Sequence, residues 1–414
     1  MPTPHLMLFD LYTGGHHGQY IRQLVEYWGA NDLPGRLDIV VPAPFLKRHP
    51  DVQQTAEAHA EAGVRCVPIT EPVVLRSEGA RALVHNDREH GRLLRKYVGQ
   101  LRPSHCVCMY FDHIQLSLAL DLRFPFPLQL SGIYFRPSFH YRTFSASTGE
   151  VKDRLKQLRK RLLLSAALRN RHFTHLFCLD PYVVPYVKAR HRHVETVALP
   201  DGVTPRPALL SRSEMHTRWG VAADRRVALF FGSIAARKGI HQTLDALRLL
   251  SPEHQQRLCL VLVGAVNDAE KERVDEDLQR LRRETTVQVV VDGRFVEEEE
   301  IQGIMQGADL VLLPYQRHIG SSGVLVRAAL ASVPVLGSDY GLVGEHLRRR
   351  KLGLPVDATS PPALAAGLRH WLTHPDRFPF EAQEARRFAR ENTAERFAET
   401  LFHHVTGAIQ QTTR

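Results

Sequence analysis

The sequence predicts an α/β protein of two domains, each a parallel sheet wound with helices. Three observations carry this. The chain has 414 residues, too many for one ordinary hydrophobic core. Short β-rich runs alternate with longer amphipathic segments, as strands do with crossover helices. The alternation also runs through twice, on either side of a proline-containing stretch with no helical period.

In the first half the expected strands are 6–12, 36–42, 65–70, 105–111, 127–135 and 175–180. In the second they are 226–232, 258–264, 287–293, 309–315 and 333–339. The stretch VETVALPDGVTPRPALLS (194–211) reads as a linker, with the boundary between Pro200 and Pro207. The expected domains are 1–200, 201–385 and a final helix over 386–414. Phe388, Phe397, Leu401 and Val405 give that helix its spacing, and Asn392 or Thr393 is a cap for its second part.

Hydrophobic residues at 43% beside 24% charged ones place the chain among globular proteins and exclude disordered and fibrous classes. No apolar run reaches the roughly 20 residues needed to cross a bilayer. Met1 to Asp10 runs straight into a strand-like segment, without the basic region or cleavage site of a signal peptide. The five cysteines are scattered through apolar segments, as expected in a reducing cytoplasm. Cys106 and Cys108 share one strand face, and the simplest role for both is as small buried apolar groups. A net charge of +10 favours polyanionic partners: nucleotide diphosphates, an anionic membrane surface or nucleic acid. Zinc spacing, an aromatic RNA-binding signature and a helix-turn-helix pattern are all missing, so nucleic acid is not expected.

The basic segment 151–173 has Leu155, Leu158, Leu162 and Leu163 at helical spacing. Either its leucines pack on the sheet with Lys and Arg in solvent, or the helix lies on an anionic membrane through 151–171.

Three segments could carry chemistry. In LYTGGHHGQYIRQL (11–24), Gly14, Gly15 and Gly18 allow a tight turn between strand and helix. Such a turn either lets the backbone approach a phosphate at a helix N-terminus or is only a turn; the spacing is not that of the dinucleotide fingerprint. In FFGSIAARKGIHQTLDAL (230–247), a strand ends at Gly232 and Ser233, and Arg237 and Lys238 precede a helix. Two cations at that edge suit a diphosphate. In the third, 309–347, a buried strand leads through His318 to a polar turn of Gly320, Ser321, Ser322 and Gly323, then a helix and a second glycine loop ending in Glu345. Amides of the 320–323 turn are suited to phosphate or sugar hydroxyls. Asp275–Glu276–Asp277 has the D-x-D form of some metal sites, but its charged, helical surroundings read as a solvated helix face.

These segments, in this order, resemble the retaining GT-B glycosyltransferases of family 4. FFGSIAARKGI is similar to the family's strand–loop–KG–helix segment, and ALPDGV to its interdomain hinge. The stretches 289–315 and 335–356 resemble the family's remaining two motifs. The resemblance implies a GT-B fold: two Rossmann-like domains facing across a cleft, with the C-terminal helix crossing back to the N-domain. It implies transfer of a sugar from a nucleoside-diphosphate donor to a glycan, lipid or small acceptor, with retention and without a metal or other cofactor. Lys238 would neutralise the leaving diphosphate. Gly14 and Gly15 would approach the same phosphates, and Gly320 to Gly323 would hold the sugar. Gly293, Phe295 and Val296 would lie near the base.

The chain departs from the family at several positions. In the register set by AALASVPVL (328–336), the two family glutamates are replaced by Ile319 and Arg327, neither of which accepts a hydrogen bond. The usual arginine after Gly232 is Ser233, with Arg237 as a substitute. The N-domain histidine is missing at the end of LSGIYFRP, where Tyr134, Phe135 and Arg136 stand; His113 in YFDHIQ is the nearest candidate. The missing pair leaves two other readings open: a GT-B-like protein that binds nucleotide or sugar without transfer, and an epimerase-type enzyme. The expected location is the cytoplasm, and the interfacial alternative for 151–171 would add peripheral attachment to the inner face of the membrane.

Overall fold

A computed structural model describes residues 4–76, 80–137, 139 and 151–412; the side chains of 80–81, 151–154, 156 and 408–412 are also outside that description. The chain forms two units, Met1–Gly202 with Ala394–Arg414, and Val203–Thr393.

Unit 1 holds a seven-stranded parallel sheet in the order β3-β2-β1-β4-β5-β6-β7. The strands are β1 His5–Phe9, β2 Arg36–Pro42, β3 Val64–Ile69, β4 His105–Cys108, β5 Gln129–Tyr134, β6 Phe173–Cys178 and β7 Glu195–Ala198. Unit 2 holds a six-stranded parallel sheet in the order β10-β9-β8-β11-β12-β13. Its strands are β8 Arg226–Phe231, β9 Leu258–Val263, β10 Gln288–Asp292, β11 Leu310–Leu313, β12 Val335–Ser338 and β13 Gly353–Val356.

Helices cover both faces of each sheet, so the central strands are apolar on both sides; every residue of β9 is buried. One face of the first sheet packs around Met7, Leu93, Cys106 and Leu176, the other around Leu8, Ile39, Trp28 and Phe402. Cys106 and Cys108 lie in that first core at 0% and 3% exposure, acting as small apolar groups.

Two strands escaped the sequence pattern. Glu195–Ala198 falls inside the stretch read as linker, and Gly353–Val356 contains Pro355. Proline commonly argues against a strand, but β13 is the sheet edge, where a missing amide costs little. The terminal helix expected over 386–414 is instead two helices, Ala382–Glu391 and Ala394–Thr412, broken at Asn392 and Thr393. The first packs in unit 2. The second belongs to unit 1, where Phe397 stacks on Tyr20 at 4.9 Å and Phe402 meets Trp28 edge-on at 5.3 Å.

In each sheet the strand order reverses once, between β1 and β4 and between β8 and β11. Loops leaving the carboxyl ends of those strands diverge to opposite faces and open the crevice where α/β sheets bind ligands.

Candidate functional site

The crevice of unit 2 is made by the loops after β8 and β11, which are locked together by backbone. Gly232 ends β8 at φ +92°. A single 3-10 turn, Ala236–Lys238, follows, and Gly239 at φ +80° starts the helix Ile240–Arg248. A Cβ on Gly239 would sit 2.0 Å from the carbonyl oxygen of Pro314, so only glycine permits the two loops to touch here. The Gln316 amide donates to the Arg237 carbonyl at 2.9 Å, and the Gln316 side chain donates to the carbonyls of Pro314 and Ala358, both at 2.8 Å.

This locking brings Lys238 against the third segment. Its ammonium lies 5.5 Å from the centroid of the Tyr315 ring and donates to the Phe231 carbonyl at 3.4 Å. Burial first, and the charge of Arg237 second, push its pKa down to about 8. The Tyr315 hydroxyl is 3.2 Å from that of Ser322, and the ring meets His318 edge-on at 5.4 Å. Ser322 is buried and precedes the helix Gly323–Leu330, while His318 Nε2 bonds the Ser321 carbonyl at 3.1 Å. Gly232, Lys238, His318 and Ser322 thus converge around Tyr315, with Ser233 and Arg237 exposed beside them. Gly320 is buried in the same loop.

The remaining expected residues of unit 2 lie around this centre. Arg327 donates to Glu298 Oε1 at 2.6 Å, which ties the helix Gly323–Leu330 to the loop after β10. A carboxylate from the neighbouring loop thus meets this guanidinium. In that loop Gly293 has open space at its Cα, Val296 is nearly buried, and Phe295 is 78% exposed. Glu345 is on the helix Gly341–Arg349, with its two carboxylate oxygens taken by Arg348 at 2.7 Å and Arg349 at 2.9 Å. The nearby glycine that does touch the site is Gly341, at φ +66°, which packs against the His318 carbonyl. Asp275–Glu276–Asp277 is on the helix Lys271–Glu284, where Asp277 bonds His241 Nδ1 at 2.6 Å.

The crevice of unit 1 collects aromatic and imidazole rings. Tyr12, past the end of β1, bonds His113 Nδ1 at 2.6 Å, and its ring is 4.9 Å from Tyr110. His113 ends the short 3-10 turn after β4. Burial, then the nearby charges of His90, Arg136 and His17, push its pKa down to about 4, so the ring is neutral near pH 7 and its Nδ1 accepts from Tyr12. Asp10 is fully buried, accepts from the Tyr12 amide at 2.9 Å and pairs with His17 Nδ1 at 2.5 Å. Burial pulls the His17 pKa down, but the charge and hydrogen bond of Asp10 outweigh it and raise the value. Gly14 faces the Arg48 guanidinium, and Gly15 takes φ +72° in the turn into the helix His17–Ala30.

Sequence reasoning missed Tyr12, Tyr315, Gln316, Glu298 and the Asp10–His17 pair. The one available signal was position: Tyr12 and Tyr315 each follow within three residues of a strand beside the reversal of strand order.

Residues 211–396 match the family model described as Glycosyl transferases group 1. No curated protein matches the sequence. Among solved structures, the chain is similar to a sucrose-phosphate synthase of Thermosynechococcus elongatus at 17% identity and TM-score 0.68, covering 98% of this chain and 100% of that one. It is similar to HepE of Anabaena, in complex with UDP and glucose, at 16% identity and TM-score 0.63, covering 97% and 99%. A third is WaaG, a glycosyltransferase involved in lipopolysaccharide biosynthesis, at 17% identity and TM-score 0.63, covering 97% and 99%. At such identities the likeness is one of fold, and that fold is GT-B.

Proposed function

We propose that this glycosyltransferase, whose second unit is a group 1 domain, takes a sugar from a nucleoside-diphosphate donor held in the unit 2 crevice and passes it to a hydroxyl acceptor. The acceptor oxygen bonds to C1 of the sugar as the bond from C1 to the diphosphate oxygen breaks. The acceptor oxygen attacks from the face that the diphosphate leaves, and a diphosphate oxygen takes the hydroxyl proton there, so the anomeric configuration is retained. No metal is required, because Lys238 supplies the countercharge for the leaving diphosphate.

The observation that carries this reading is the state of Lys238. It is a largely buried ammonium with, among the described residues, one carbonyl at 3.4 Å and an aromatic face, at the carboxyl end of β8. An ammonium can donate three hydrogen bonds, and burying it with one is costly unless a ligand provides the rest. The Gly320–Gly323 turn beside it offers amides and hydroxyls for the sugar. The complex of HepE with UDP and glucose makes uracil the first base to try.

The test is a thermal-shift titration of the full chain with UDP, GDP, ADP and their sugar conjugates, with and without EDTA, followed by donor turnover. One base should stabilise the fold, by about 2.7 kcal/mol at a hundred times its dissociation constant. The shift should survive EDTA and vanish in Lys238→Met. Sugar transfer to an added acceptor supports the proposal. Isomerised donor, or binding without turnover under all conditions, overturns it.

We further propose that the enzyme works in the cytoplasm, at the anionic inner face of a membrane. Among the described residues no helix is long and apolar enough to cross one. The support is the helix Val151–Ala167, where Leu155, Leu158 and Leu162 are 68%, 51% and 62% exposed while Leu164 and Ala167 face the core. A solvent-facing leucine stripe flanked by Arg159 and Arg169 suits the boundary of an anionic bilayer.

A further inference from the structure

Unit 1 contains a cavity of about 1170 Å³ that opens from Tyr12, Tyr110 and His113 toward the loop after β3. Its charge is one-sided. Among the described residues Glu71 is the single carboxylate in the lining, and it is already used by an ion pair with Lys96 and a 2.9 Å hydrogen bond from the Tyr97 hydroxyl. Arg76, Arg136 and Arg159 also line it, and among the described residues none of the three guanidiniums has a carboxylate partner.

Two of these arginines are held in place from below. The buried Asn86 clamps the backbone of Arg76, accepting from its amide at 2.9 Å and donating to its carbonyl at 3.0 Å. The Asp112 carboxylate accepts from the Phe135 and Arg136 amides at 2.9 and 3.1 Å. Burial raises the Asp112 pKa to about 6 despite these bonds, so the fold bears a cost to keep that loop in position. The hydrogen bonds of both clamps go to backbone, and the Asp112 charge acts on Arg136 without an ion pair to its guanidinium among the described residues. Between them the wall is apolar, with Ile69, Val73, Leu75 and Leu83.

We propose that this cavity binds an acceptor carrying a phosphate group beside an apolar or sugar body, with Arg76 and Arg136 gripping the phosphate. Guanidinium groups match phosphate oxygens bidentately, and among the described residues none of these three guanidiniums forms an ion pair with a carboxylate. The word acceptor rests on the transfer reading above; the phosphate contact does not. Two sources share this chemistry, a lipid phosphate and a soluble sugar phosphate.

Calorimetric titration of the full-length chain separates them. The probes are n-octyl phosphate, glucose 6-phosphate and n-octyl β-glucoside, all in the Lys238→Met background so that unit 2 does not contribute. We expect a phosphate probe to bind at least tenfold more tightly than the neutral glucoside. The double variant Arg76→Gln/Arg136→Gln should weaken that probe at least tenfold while leaving the melting temperature within a few degrees. Arg76→Lys/Arg136→Lys should fall between, because charge survives but the bidentate fork is lost. Preference for octyl phosphate assigns a lipid source, and preference for glucose 6-phosphate a soluble one; either supports the phosphate site. Equal binding of phosphate and glucoside, no binding of any probe, or indifference to both double variants overturns it. Nucleotide titration of the otherwise wild-type chain keeps the readings apart. Arginine-dependent phosphate binding without any nucleotide binding would sink the transfer reading alone, and the converse would sink only this site.

Discussion

The Lys238 ammonium sits over the Tyr315 ring at 5.5 Å, joining the loop after β8 to the loop after β11. The two residues are far apart in sequence, and Tyr315 also reaches the Ser322 hydroxyl at 3.2 Å. One aromatic ring therefore positions both the cation and the polar turn of the candidate donor site.

Lys238 makes a prediction about stability as well as binding. Its folded pKa, about 8, is below the ordinary 10.5, so between those values the unfolded chain holds more protons and stability rises with pH. At pH 7 the folded state carries the full cost of the buried charge. Lys238→Met should therefore stabilise the ligand-free protein by about 1–3 kcal/mol at pH 7 and lose the benefit above pH 10. Chemical denaturation at both pH values checks this; a variant less stable than wild type at pH 7 refutes it.

Gly239→Ala tests the lock between the loops. The new methyl meets the Pro314 carbonyl at 2.0 Å in a left-handed backbone. We expect a loss of about 2–4 kcal/mol in urea melts and a parallel loss of nucleotide affinity. Retained affinity would mean that the loops find the site geometry without this contact.

The Arg327–Glu298 pair predicts where nucleotide hydroxyls are recognised. Glu298→Gln should lower nucleotide affinity about tenfold, as expected for one charge-assisted contact. The swap Glu298→Arg/Arg327→Glu should recover more of it than either single change, as measured by calorimetry. Additive losses would show that the two side chains contribute independently and not as a pair.

His113 predicts a pH dependence in unit 1. Its folded pKa of about 4 is below the ordinary 6.5, so the stability of its neutral form is complete above pH 6.5 and is lost as pH falls toward 4. Asp112 works in the opposite sense, because its folded value is raised to about 6. Comparing wild type with His113→Gln largely cancels that contribution. The wild type should lose about 1–3 kcal/mol relative to the variant between pH 7 and 4. Parallel curves would contradict the assignment.

The leucine stripe predicts membrane attachment. Leu155→Ser/Leu158→Ser/Leu162→Ser should leave the melting temperature near wild type, since these side chains are mostly in solvent. Binding to vesicles with anionic lipid should fall at least tenfold, and salt should weaken wild-type binding. Equal vesicle binding by the two proteins would remove the membrane from the account.

The two sheets were legible because parallel strands buried on both faces must be written as apolar runs, as in Leu258–Val263. The loops of the candidate site were marked for a related reason: Gly232 and Gly239 occupy backbone conformations that other residues resist, and that need leaves a mark in the local sequence. Strands β7 and β13 were not, because four residues at a sheet edge have too few buried positions to leave a period. The fate of the basic helix was also open in sequence. Helical spacing gives the same stripe whether Leu155, Leu158 and Leu162 face a core or solvent.

The sequence by itself determined the α/β class, the two-fold division of the chain and the loops that carry Lys238 and Ser322, all of which depend on residues near one another. Only the tertiary structure decided which side chains meet. Strand order puts β4 beside β1 and β11 beside β8, so Tyr12 reaches His113 across 101 positions and Lys238 reaches Tyr315. Arg327 finds Glu298 in the same way, from a helix and a loop that follow different strands. Each of these contacts depends on long-range sheet pairing, and local periodicity carries no record of it.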